Sequence, residues 1–248
     1  MTETTAQDRV AAWRASRAAL AAEVTRVVTL LRDTPDPPPR RSGETWGFAE
    51  LATHLSHGWM TLPQLAQGDE GPIIELVGQS AITHPSEMGA LTEGAVASDP
   101  ERDPRALADR IETAASTYLS SCVDADVDRV TQWIAVDVLP AMPVFTAHLL
   151  NETVLHGLDL ARAAGRPWRV DPAHASMALH DFLVPVIHHM PDRLVDGDRI
   201  NRPRVVLEFR LHHARWLRLR LEDGRSTRMT PTGPAPWMPI PAPVPTRS

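Results

Sequence analysis

The stretch Phe145-Thr146-Ala147-His148-Leu149-Leu150-Asn151-Glu152-Thr153-Val154-Leu155-His156-Gly157-Leu158-Asp159-Leu160-Ala161-Arg162-Ala163-Ala164-Gly165 decides how this chain is read. His148, Glu152 and His156 follow one another at steps of four, and Asp159 comes three residues later. At about 100° per residue these four fall within a narrow arc that also holds Phe145, Leu149, Leu160 and Ala163. Titratable groups therefore occupy the stripe that faces a core. The pattern predicts a helix from Pro140, a favourable first-turn residue, to Ala164, with Gly165 as its C-terminal stop.

The flanking sequence supplies partners for that helix. From Gln7 to Arg32, Val10, Trp13, Leu20, Val24, Val27 and Leu31 recur at helical steps, until Pro35 and Pro37-Pro38-Pro39 stop the run. Thr45 is placed to cap a second helix, with Phe48, Leu51, Leu55 and Leu62 inward and an end near Pro63. His54 lies between Leu51 and Leu55 on its apolar face, whereas His57 turns toward the edge. A third helix runs from Pro104 to about Cys122. Residues 67–102 show no sustained period and read as a long, partly ordered loop, a lid or site wall. Four helices with one long connection predict a mainly α fold whose residues 1–168 form a four-helix bundle.

After residue 168 the texture changes. Asp171-Pro172 caps and starts a helix lasting to about Met190. Val205, Leu207, Phe209 and Leu211 alternate with polar residues, as do Leu217, Leu219 and Leu221, across a turn at His212-His213-Ala214-Arg215. This is a β-hairpin pattern, with a further short strand beyond Asp223-Gly224. Residues 169–230 thus read as a small α+β segment and 231–248 as a proline-rich, extended tail.

Composition narrows the function. The chain has 248 residues, 43% hydrophobic, enough for a full core. Its single cysteine, Cys122, cannot form an internal disulfide, a zinc ribbon or an iron–sulfur cluster. Any metal must sit on His, Asp or Glu. A net charge of -6 lacks the basic field that gathers nucleic acid. The acidic, polar N-terminus is unlike a secretory signal, and no run approaches the ~18 apolar residues of a membrane span. The expectation is a cytoplasmic protein with neither nucleic acid nor membrane as partner. No heptad seam separates monomer from homodimer.

Burying a carboxylate and several imidazoles is costly unless hydrogen bonds or a metal compensate. Both solutions are open on the residues alone. In the metal solution, Glu152 and His156 lie one above the other and His54 closes the site from the facing helix. Three N/O ligands with an open fourth position describe a catalytic zinc site, though nickel, iron or manganese fit the same set.

Two segments carry a resemblance. Trp46-Gly47-Phe48-Ala49-Glu50-Leu51-Ala52-Thr53-His54-Leu55 and Asn151 to Gly165, with its Glu-x-x-x-His-x-x-Asp-Leu-Ala run, resemble the two signatures of the mycothiol-dependent maleylpyruvate isomerase family, DinB-like four-helix-bundle metalloproteins. The resemblance implies a divalent metal, zinc, on His54, Glu152 and His156, with the thiol of mycothiol as cosubstrate. It further implies a small-molecule electrophile: thiolate addition to a double bond, rotation and elimination give cis–trans isomerisation, and addition without elimination gives S-transfer. The alternative is a non-catalytic metal- or small-ligand-binding bundle of the same superfamily. Val205 to Leu221, with Trp216, resembles the hairpin of the family's C-terminal domain, here shortened by the proline-rich tail.

Other residues keep two readings each. His148 is a fourth ligand or a base beside the metal, or else a core histidine. Asp159 orients a ligand imidazole or forms an ion pair. Arg218 and Arg220 hold a substrate carboxylate or line a solvated strand face. Cys122 reads as an inert, partly buried thiol, with no cation near it in sequence.

Overall fold

The computed structural model describes residues 6–40, 45–77, 87–134, 139–189, 205–209, 217–222 and 225–229. Four long helices, α1 (Ala6–Arg32), α2 (Phe48–Leu65), α5 (Pro104–Ser121) and α6 (Met142–Ala163), pack in a ring in which α1 and α2 each touch both α5 and α6. The apolar stripes read from the sequence meet inside it: Leu20, Leu31, Phe48, Ile111, Phe145 and Leu160 are all buried. The core is pinned by Thr146 on α6, whose hydroxyl accepts from Trp13 Nε1 (2.8 Å) and bonds Tyr118 Oη (2.7 Å).

Local chemistry sets the helix ends. At α2 the cap is Gly47 rather than Thr45: the Gly47 amide donates to the Glu50 carboxylate (3.1 Å), so an acidic residue in the first turn does the capping from inside the helix. Asp103 caps α5 through the Arg105 amide. α6 begins at Met142, two residues after the predicted Pro140, with Pro143 in its first turn. It ends as predicted. Gly165 adopts φ +66°, its amide bonds Arg162 O and the Arg166 amide bonds Ala161 O, closing a Schellman motif.

The stretch 67–102 departs from the loop expected there. It contains α3 (Gly71–Val77) and α4 (Glu87–Ser98), both packed on α2; residues 78–86 lie outside the described set. Met88, Leu91, Thr92, Ala95 and Val96 recur at helical steps and form the inward side of α4, a pattern that Gly89 and Gly94 break up when the sequence is scanned.

The helix expected over 171–190 forms in three pieces. α7 (Pro172–Met177), capped by Asp171, passes through a π-helical turn (Ala178–Leu183) into α8 (Val184–His189). Pro185 has no amide to give Asp181, and the wider turn immediately precedes it. Strands β1 (Val205–Phe209), β2 (Leu217–Glu222) and β3 (Arg225–Met229) form an antiparallel sheet in order β1-β2-β3, as the alternation predicts. Its Leu219, opposite Leu207, is fully buried against Leu179, Val184 and Ile187. Phe182 and Val186, on the same helical segment, enter the bundle core instead. The predicted hairpin turn at 212–215 and the tail 231–248 lie outside the described residues.

Candidate metal centre

The inward faces of α2 and α6 bring three of the predicted residues together. His54 Nε2 stands 3.1 Å from His156 Nε2, the rings edge to face at 4.6 Å. His156 Nε2 in turn is 3.3 Å from Glu152 Oε2. One donor atom from each of His54, Glu152 and His156 lies within 4.8 Å of the others. Around a tetrahedral zinc with bonds of about 2.0–2.1 Å, neighbouring ligand atoms are about 3.3 Å apart, and two of the observed separations have that length. The cluster could therefore hold a metal ion.

Electrostatics prepares the same set. Burial, reinforced by His156 and only partly opposed by Glu152, pushes His54 down to about 4, so it is neutral at pH 7 with a lone pair to give. Burial pushes Glu152 up, but hydrogen bonding and attraction from His148 and His156 outweigh it and hold the carboxyl well below the usual carboxylate range. Two imidazoles and a carboxylate form a donor set that divalent transition metals accept.

His148 has a different part. The Trp133 indole nitrogen, which can only donate, lies 3.1 Å from His148 Nδ1. Neutral His148 therefore carries its proton on Nε2, which faces Glu152 Oε1 at 3.6 Å. The ring is buried and stacked on Phe182, with centroids 4.6 Å apart. In this state His148 presents neither nitrogen as a ligand or a base. Its Nε2–H faces the Glu152 carboxylate from just beyond hydrogen-bond length.

Asp159 stands between the site and the surface. Its Oδ2 is 3.9 Å from His156 Nδ1, beyond hydrogen-bond range, and its Oδ1 is 3.7 Å from Arg162. His156 Nδ1 is buried and has no hydrogen-bond partner. Arg218 pairs in register with Glu208, and half-buried Arg220 with Val206 and Thr227. Arg220 is not among the described residues around the site.

A cavity of about 400 Å³ opens beneath the cluster. Its walls come from α2 and α6, from Ile73 on α3, and from Met88, Gly89, Thr92 and Ala95 on α4, so part of the stretch 67–102 does form a site wall. His57 also lines it, and not from the edge. It is buried, with Nε2 2.8 Å from Asp99 Oδ2, which Arg110 also reaches at 2.8 Å. Burial pushes the Asp99 carboxyl up, but the Glu101 amide, His57 and Arg110 outweigh this and bring it down to about 2. Trp133, Asp99 and Ile134 all lie in connections without periodicity, where sequence spacing carries no pointer to the site. Cys122 lies away from it and is fully buried; burial pushes its thiol up, in keeping with an inert role. Compared with known protein families, curated proteins and solved structures, the chain matches none.

Proposed function

We propose that this chain is a thiol-dependent metalloenzyme of the mycothiol-dependent maleylpyruvate isomerase type, with a DinB-like bundle as its frame. The observation that carries the reading is the meeting of His54 Nε2, Glu152 Oε2 and His156 Nε2, from two facing helices, at the wall of one cavity. His54, Glu152 and His156 would hold a divalent ion, zinc by donor type. When bound, that ion supplies the positive charge that keeps a thiol in its nucleophilic thiolate form at neutral pH.

The remaining residues position the cluster and line the cavity. His148 directs its Nε2 proton at Glu152 and leaves the other carboxylate oxygen turned toward His156. Trp46 packs against the His54 ring, with centroids 5.0 Å apart, and fixes its orientation. α3 and α4 contribute Ile73, Met88, Thr92 and Ala95 to the cavity wall. The reaction class is addition of the thiol of mycothiol to an electrophile, ending in cis–trans isomerisation or S-transfer.

Calorimetry with mycothiol in two buffers of different ionisation enthalpy tests this. Binding to zinc-loaded protein with proton release, and none to chelator-stripped protein, is the expected result. Equal affinity for both forms would assign the chain to the non-catalytic, ligand-binding alternative.

A further inference from the structure

Charge is sorted around the cavity. The apolar lining is supplied by Leu55, Trp59, Leu62, Met88, Ile134 and Leu149. The described ionisable groups on the wall are the histidines and Glu152; no arginine is among them, and the chain has no lysine. The cations packed behind the wall are engaged: Arg110 on Asp99, and Arg102 on the carbonyls of Val96, Asp99 and Glu101. Charged side chains gather instead in an outer recess of about 460 Å³, with Glu93, Asp159 and Arg162. The two spaces share Trp46, Gly89 and Thr92.

A carboxylate entering the inner cavity would leave water without finding a guanidinium or ammonium partner on the described wall, and it would meet a second carboxyl group, that of Glu152. If a divalent ion and a thiolate are both present, their charges and that of Glu152 already sum to zero, so no positive charge is left over for an anionic acceptor. An uncharged, apolar molecule meets none of these penalties and fills a space within the usual range for small-molecule sites.

We infer that the inner cavity selects an uncharged, apolar electrophile and rejects dicarboxylates of the maleylpyruvate kind, with polar and charged parts of a cosubstrate left to the outer recess. Calling the ligand an electrophile rests on the proposed thiol chemistry; the preference for a neutral ligand rests on the wall alone.

The test uses the full chain after dialysis against a chelator, so that no metal-borne charge is left to draw in an anion. Methyl cinnamate, cinnamate and maleate are titrated separately, without thiol, by intrinsic fluorescence and saturation-transfer NMR. The ester should bind at least tenfold more tightly than cinnamate, and maleate more weakly still. In Met88→Arg, confirmed as folded by circular dichroism, the preference should shrink or reverse. Maleate or cinnamate binding as tightly as the ester to the wild-type protein overturns the inference, whatever the variant does. A neutral preference without any response to mycothiol would instead leave this inference standing and remove the thiol reading.

Discussion

The role of His148 turns on one hydrogen bond. Because Trp133 donates to Nδ1, a neutral His148 carries its proton on Nε2, which faces the carboxylate of Glu152 across 3.6 Å. Partners that orient a metal ligand typically change affinity about 10–100-fold when removed. His148→Leu should therefore weaken zinc binding by about that range in competition with a chromogenic chelator, while His148→Gln, which keeps an N–H donor, recovers most of it. Leu and Gln variants indistinguishable from the wild type would reduce His148 to a packing residue. Asp99 acts through proton linkage instead. Its folded value, about 2, lies below the ordinary 3.8, so the unfolded chain binds the proton first. The stability it contributes is fully present above the ordinary value and is lost as pH falls through about 2. Urea midpoints at pH 5 and pH 3 should converge more in Asp99→Asn than in the wild type; an unchanged difference contradicts this.

Among the elements, α6 is the most constrained, since it carries two of the three candidate ligands and also packs against α1. Gly157, next to the candidate ligand His156, makes that approach possible: a Cβ there would stand 3.0 Å from Val27 Cγ2 and 3.2 Å from a Trp168 ring carbon. Overpacking costs about 1–3 kcal/mol and the better helix propensity of Ala returns about 1. Gly157→Ala should then lose about 1 kcal/mol and lower Tm by about 2–4 °C, and a raised Tm would show that the contact yields freely. The helices that carry the candidate ligands are legible in the sequence because inward-facing titratable groups stand out against an otherwise apolar period at His54, Glu152 and His156. The α4 wall is less legible: its stripe from Met88 to Val96 is short and interrupted by glycines. The link between Trp133 and His148 spans 15 residues, with Trp133 in a non-periodic connection, and only packing brings the two together.

At the scale of the molecule, one helical segment joins two apolar clusters. Phe182 and Val186 complete the bundle core, while Leu179, Val184 and Ile187 support the sheet. The boundary expected near residue 168 therefore has a helix beyond it that serves both sides. Among the described residues, no helix is long and apolar enough to cross a membrane. Of the two arginines expected to hold a carboxylate, Arg220 is not among the described residues that line the cavity. What unites the account is a metal ion shared by α2 and α6. Elemental analysis of the purified, dialysed protein tests it most directly, alongside His54→Ala and His156→Ala variants shown to be folded. The account predicts about one divalent ion per chain in the wild type, zinc foremost, and its loss in both variants. Wild-type protein with well under half an equivalent, or variants that retain the same content, would contradict it.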